Sequence, residues 1–385
     1  MSLRVFENSK STVSKCKVCG KTNPLISEKL GVCGECIVEN PEASLPYTLK
    51  AHRLSRVKFN LPETPPSDKN GILCGMCVND CKIPSAEIGY CGLVANEEGK
   101  LVRLAGTPEK GLLEWYYDPL PTNCVASWVC PGCTSVGFPK YTKTRGPEYG
   151  QVNLAVFYGA CSFDCLFCQN WHYRENTRKI DPVMSAKKLA EKCTKKVSCI
   201  CYFGGDPAVQ MPHSLKTAEL AIEKAKTEWN GLIRICWETN GTMSWPLLEK
   251  AAQIALESGG NIKFDIKTWS EQLNIALCGA SNQRTLENFK KLGKLFDERP
   301  QNPLLVASTL LIPGYVEVKE VEKIAEFIVS INPEIPYSLL GFYPSYIMND
   351  LPTTSKKLAF ESLEAAKKVG LKNVKIGNIH LLSEQ

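Results

Sequence analysis

Cys161-Ser-Phe-Asp-Cys165-Leu-Phe-Cys168 places three thiols on one short loop with the spacing C-x3-C-x2-C. A closed structural metal site needs four ligands, and this loop supplies three. Three thiolates can hold a cubic iron–sulfur cluster by three corners, leaving the fourth iron open to another ligand. The competing reading is part of a zinc or disulfide site. Motifs that follow at regular intervals downstream favour the open cluster.

The chain has 385 residues and nineteen cysteines. Its first ten residues lack the apolar core of a signal peptide. The most apolar run, from Leu304 to Ile312, is interrupted and too short to cross a membrane. A reducing cytoplasm is therefore expected, where clustered cysteines mean metal rather than disulfides. The pairs Cys16-x2-Cys19 and Cys33-x2-Cys36 read as a zinc ribbon within residues 1–45. Pro46, Pro62, Pro65 and Pro66 mark residues 46–70 as a linker. Residues 71–150 form a second cysteine-rich region. Within it Cys74, Cys77, Cys81 and Cys91 suffice for one closed site, either zinc or an auxiliary iron–sulfur cluster. Cys124, Cys130 and Cys133 fall one ligand short. They would recruit a further cysteine, hold a cluster with an open iron, or pack as reduced thiols. The net charge of +6 is mild and permits a nucleic acid or acidic partner without arguing for one.

From residue 151 to 385 the pattern alternates between strands and helices. Strands are expected at Asn153–Tyr158, Ser198–Phe203, Ile233–Trp237, Ile262–Ile266, Leu305–Leu311, Tyr337–Tyr343 and Val374–Ile379, with amphipathic helices between them. Seven strands joined by crossover helices make an α/β fold with a parallel sheet, curled into a partial or complete β/α barrel. An open dinucleotide-binding sheet is disfavoured, because no glycine-rich fingerprint follows the first strand. In a barrel the chemistry sits where strands end. The cysteine loop follows the first strand, and Gly204-Gly205-Asp206 ends the second. Paired glycines let carbonyls approach and accept hydrogen bonds from an ammonium group. Asp265 and Lys267 are two apart, so both point to one face. Either they bind a ribose or cation and a carboxylate, or they form an interior ion pair. His172 and His380 are each a ligand or proton relay, or a surface hydrogen-bonding histidine.

The cysteine loop resembles the signature of the radical SAM enzymes. The ordered segments Glu238-Thr239-Asn240-Gly241, Phe264-Asp265-Ile266-Lys267, Ser281-Asn282-Gln283-Arg284-Thr285-Leu286 and Pro313-Gly314 are similar to those of pyruvate formate-lyase activating enzymes, across roughly residues 150 to 380. Cys74 to Cys91, Gly159 to Trp171, Phe342 to Tyr346 and the ending through Asn378 resemble radical SAM proteins of the AmmeMemoRadiSam system. The ribbon and the Cys124–Cys133 group depart from that pattern. The resemblance implies an oxidoreductase in which Cys161, Cys165 and Cys168 hold a 4Fe-4S cluster. S-adenosylmethionine on the open iron is reductively cleaved to a 5′-deoxyadenosyl radical that abstracts hydrogen. It implies SAM contacts from Gly204, Gly205, Asp206, Asn240, Asp265 and Lys267, with Phe167 against the adenine. Asp206 stands where the family has glutamate, so the backbone role carries over better than the side-chain role. A monovalent cation beside SAM is implied at Glu238, Thr239 and Asp265. The implied partners are an electron donor such as a flavodoxin or ferredoxin and a protein with a glycyl-radical loop. The alternative is a nucleic-acid-binding or RNA-modifying protein that docks through its ribbon.

Overall fold

The computed structural model describes residues 13–122, 124–229 and 231–384. Expectations resting on residues 1–12, including the absent leader and the start of the ribbon module, lie outside the described residues. Nine strands make one sheet: β1 Gly111–Pro119, β2 Val152–Tyr158, β3 Val183–Met184, β4 Val197–Gly204, β5 Arg234–Thr239, β6 Ile262–Asp265, β7 Leu305–Leu311, β8 Tyr337–Gly341 and β9 Val374–Gly377. Their spatial order is β9-β8-β7-β6-β5-β4-β2-β1-β3. Among β2 and β4 to β9 every pair is parallel and every connection carries a helix, as the alternating pattern predicts; β3 pairs antiparallel with β1. The sheet ends at β9 and β3, so the barrel is partial rather than complete.

Strand alternation sorts the side chains into two environments. Ile200 and Tyr202 of β4 and Ile235 and Trp237 of β5 belong to the large apolar core with the crossover helices. The alternate positions Cys199, Cys201, Phe203, Cys236 and Glu238 line cavities on the other face. Both faces are buried, which gives the near-continuous apolar runs typical of a parallel sheet.

Two boundaries differ from expectation. The division at residue 150 falls between β1 and β2, which pair antiparallel from Leu113↔Tyr158 to Pro119↔Val152. The cysteine-rich region therefore contributes a strand to the sheet. Residues 46–57, expected within a linker over 46–70, belong to a helix spanning Pro41–Val57. Its buried residues include Ser44, Thr48, Ala51, His52 and Ser55. Their spacing is helical but their chemistry is mostly polar, so a search for apolar periodicity passes over them.

The polypeptide before β2 is tied down by a buried pair. Arg234 donates to both carboxylate oxygens of Glu148, from Nη2 at 2.6 Å and from Nη1 at 3.0 Å. Burial raises the Glu148 pKa, but Arg234 outweighs it and brings the carboxyl down to about 2. A depressed carboxyl stabilises the fold above its ordinary pKa and loses that contribution as pH falls through the folded value. Glu148→Gln should destabilise the protein by roughly 3–5 kcal/mol, because Arg234 is left buried and uncompensated. In thermal melts the deficit should stay constant from about pH 8 to about pH 5, since the native carboxyl remains ionised throughout. A deficit that vanishes by the acid end of that range would contradict the depressed carboxyl.

Candidate functional site

The cysteine loop leaves the end of β2 and is clamped from several sides. Asp164 N donates to Cys278 O at 2.7 Å and Leu166 N to Leu277 O at 2.9 Å. Leu166 O accepts in turn from Ile347 N and Met348 N. The Asp164 carboxylate is completely buried. It accepts from Arg174 Nη2 at 2.6 Å and from Ser55 Oγ at 2.7 Å, and it lies 3.0 Å from His52 Nδ1. Burial alone would raise its pKa, but Arg174, His52 and Arg56 hold it well below the usual carboxylate range. Sequence reasoning missed this hub. The available signal was an aspartate between two ligand cysteines, with basic residues at Arg56 and Arg174.

The three thiols open onto a cavity of about 220 Å³ at the strand ends, which Phe167, Gly204, Gly205, Asp206, Asp265 and Lys267 also line. The expected SAM residues therefore meet at one place, but in different capacities. Asp206 accepts from Asn240 N at 2.6 Å, Ala208 N at 2.6 Å and Thr239 Oγ1 at 2.8 Å. Both its oxygens thus brace the rim, and burial raises its pKa to about 6 against those donors. Asn240 gives its amide to Ser162 Oγ at 2.9 Å and accepts from Thr242 Oγ1 at 2.8 Å. Its side chain orients the loop, and the residue also lines the cavity. A Cβ on Gly204, whose φ is +110°, would come within 2.7 Å of Tyr158 N, and one on Gly205 within 2.1 Å of Ala160 O. The glycine pair is thus required first by close packing on the end of β2.

Asp265 and Lys267 form an ion pair inside the cavity. Burial opposes the Lys267 charge, but Asp265 and the Cys165 thiol raise its pKa above the ordinary lysine range. The other carboxylate oxygen, Asp265 Oδ1, is buried and has no hydrogen-bond partner among the described residues. The expected cation set is otherwise engaged. Glu238 lies 3.2 Å from Lys263 Nζ, and Thr239 Oγ1 donates to Asp206. His172 stacks on Phe157 with ring centroids 5.0 Å apart, and His380 is exposed beyond β9. Cys278, unassigned from sequence, lies against Cys165, and their hydrogen bond is the chief influence lowering the Cys165 pKa.

The remaining motifs lock the modules onto this rim. Thr285 Oγ1 donates to Asn240 O, and Asn288 Nδ2 to both Gly241 O and Met243 O. Arg284 Nη2 reaches Asp80 at 2.7 Å, in the Cys74–Cys91 segment. Tyr346 OH donates to Ser55 O at 2.6 Å, and its ring stacks on Trp171. Gly314 and Tyr315 seat the amino-terminal module. Tyr315 OH donates to Val32 O at 2.9 Å, and a Cβ on Gly314 would meet Leu25 O at 2.2 Å.

The thiol groups differ in spread. The sulfurs of Cys16, Cys19, Cys33 and Cys36 all lie within 4.8 Å of one another, a single-ion arrangement. Among the described residues no other set of three or more His, Cys, Asp or Glu ligand atoms is that compact. Cys161, Cys165 and Cys168 are not among such compact sets. Cys74, Cys77, Cys81 and Cys91 surround a small cavity with Arg103, whose Nη1 is buried without a partner among the described residues. An unneutralised guanidinium there fits a group of net negative charge.

The parallel sheet thus carries a three-thiol pocket at its strand ends. Residues 155–328 match the family model of the Radical SAM superfamily. A Methanocaldococcus jannaschii protein provisionally named a glycyl-radical enzyme activating enzyme is 28% identical over 55% of this chain and 74% of its own length. A second, uncharacterised protein of that organism is 27% identical over 81% of this chain and 83% of its own. A crystallised domain of a Bacteroides vulgatus pyruvate-formate lyase-activating enzyme aligns with a TM-score of 0.36 at 18% identity, covering 47% of this chain and 99% of that one. No helix among the described residues is long and apolar enough to cross a membrane.

Asp164→Asn should destabilise the protein by roughly 3–5 kcal/mol, because Arg174 is left buried without its counter-charge. Thermal unfolding together with iron retained after gel filtration would measure this. An unchanged midpoint with full iron would show that the carboxylate does not hold the loop.

Proposed function

We propose that this protein reductively cleaves S-adenosylmethionine at a 4Fe-4S cluster held by Cys161, Cys165 and Cys168, and uses the resulting radical for hydrogen abstraction. The observation that carries this reading is the convergence of three thiols, the Lys267 ammonium and the unpartnered Asp265 oxygen on one cavity. When bound, the cluster supplies the electron that splits the sulfonium into methionine and a 5′-deoxyadenosyl radical. Lys267 is placed to pair with the methionine carboxylate, and Asp265 Oδ1 to accept a ribose hydroxyl or hold a cation. Gly204 and Gly205 offer carbonyls to the amino group. Phe167, nearly fully buried on the cavity wall, offers a face for adenine. Asp206 and Asn240 support these groups by fixing the rim.

A glycine on a partner enzyme is the proposed substrate, supported by the name of the Methanocaldococcus jannaschii relative. An external flavodoxin or ferredoxin is the proposed electron donor. Cys74, Cys77, Cys81 and Cys91 are proposed to carry an auxiliary iron–sulfur cluster beside Arg103. The compact amino-terminal quartet is proposed to bind zinc structurally, in a module that seats against the rim at Tyr315. On this reading residues 1–45, 71–150 and 151–385 are metal modules and barrel built into shared cores rather than separable units.

Anaerobically reconstituted protein with dithionite and SAM should form 5′-deoxyadenosine, and Cys165→Ala should form none. Equal product from both would end this reading. Metal analysis should give about one zinc per chain, the stoichiometry of a four-thiolate site. Cys36→Ser should lose that zinc, and zinc that persists in this variant would refute the assignment.

A further inference from the structure

A second cavity, of about 160 Å³, lies on the inner face of the sheet. Cys124, Cys130, Cys133, Cys199, Cys201 and Cys236 line it. The first three come from the segment between β1 and β2, and the others from β4 and β5. Strand register explains the convergence. Cys199 and Cys201 are two apart on β4, and Cys201 pairs with Cys236 of β5. Phe203 and Glu238, one inward position further along each strand, line both this cavity and the SAM-sized one. The two chambers are therefore successive layers of one barrel interior.

The charge in this chamber is unusual. Lys263 of β6 is almost wholly buried, and its Nζ lies 3.0 Å from Cys201 Sγ and 3.1 Å from Cys124 Sγ. Glu238, half-exposed, lies 3.2 Å away on the other side. Glu238 supplies one counter-charge, and the buried ammonium favours further negative charge on the two sulfurs it faces. Cys199 is otherwise occupied, donating to Asn153 Oδ1 at 3.4 Å. Cys130 and Cys133 lie within a hydrogen bond of each other, and among the described residues these sulfurs do not form a compact single-ion set like the amino-terminal quartet. The volume is on the order of ten times what one water requires, which suits a polynuclear group.

We propose that Cys124, Cys130, Cys133 and Cys201 hold an iron–sulfur cluster inside the barrel, with Lys263 as its buried counter-ion. Cys201 supplies the fourth ligand that the Cys124–Cys133 spacing lacks. The cluster sits one layer beneath the SAM cavity, behind Phe203 and Glu238, at a place suited to electron exchange with a radical formed above it. Arg234, beside Gly132 and bonded to Glu148, anchors the loop that carries Cys130 and Cys133.

The test uses the full chain, reconstituted anaerobically with iron and sulfide. Replacing Cys130 and Cys133 with alanine should lower iron by about four atoms per chain, the content of one 4Fe-4S cube, with zinc unchanged. One reduced-state paramagnetic signal should disappear with it. Lys263→Gln keeps all four thiols and should retain the iron. It should shift the midpoint potential of that same signal to more negative values, because a cation that favours the reduced state has gone. Far-ultraviolet circular dichroism should confirm that both variants are folded. If the double variant is misfolded, the Lys263→Gln potential decides. Unchanged iron, a loss of zinc instead of iron, or a potential indifferent to Lys263 would each overturn the proposal. Failure of the radical SAM reading would abolish 5′-deoxyadenosine in the unaltered protein and leave this iron difference intact.

Discussion

The buried Asp164 carboxylate is the constraint on which the rest of the site depends. A carboxylate withdrawn from water costs several kcal/mol unless charge and hydrogen bonds replace its hydration. Here the replacements are Arg174 and Arg56, the Ser55 hydroxyl and the His52 ring. They come from a helix near the amino terminus and from the helix that follows the cysteine loop. Satisfying one charge therefore brings two distant segments onto the loop between Cys161 and Cys165. It also explains why the amino-terminal helix is polar on its buried face. The face is shaped to meet an anion rather than to fill an apolar gap.

A second set of polar contacts does for the rim what Asp164 does for the loop. Asp206 at the end of β4 accepts from the backbone of Asn240 at the end of β5, which fixes the relative height of two strand ends. Asn240 passes the constraint to Ser162 in the cysteine loop, and Thr285 and Asn288 hold the same turn from behind. Gly241 is needed because its φ of +72° and the Phe264 ring leave no room for a Cβ. Several residues that mark the resemblance to activating enzymes thus brace the rim as well as line the cavity, which they share with the three thiols, Phe167, Asp265 and Lys267.

Cations stand beside three of the thiol groups: Lys267 near Cys165, Arg103 near Cys91 and Lys263 near Cys124 and Cys201. In a low-dielectric interior such a charge stabilises thiolate over thiol and favours the more negative state of whatever the sulfurs bind. Beside the compact amino-terminal quartet the cation is Lys21, exposed and paired with Glu35 at the surface.

Short-range spacing and periodicity were enough to read the cysteine loop, the amino-terminal quartet and the seven parallel strands from the chain alone, because each is local: a tight turn, a pair of knuckles, a β-branched run. The bounds of β2 and β4 to β9 were legible to within a few residues for the same reason. Strand β1 was not, since Gly111–Pro119 lies among cysteines and is defined by its ladder with β2. Nor was the Pro41–Val57 helix, whose polar buried face has meaning only opposite Asp164. The same limit applies to Lys263, which is separated in the chain by 139 residues from Cys124 and by 62 from Cys201. Composition shows that those thiols and that ammonium exist. Only the register of β4 to β6, together with the fold of the segment between β1 and β2, brings them within a hydrogen bond of the ammonium, because burial and charge pairing are properties of neighbours in space.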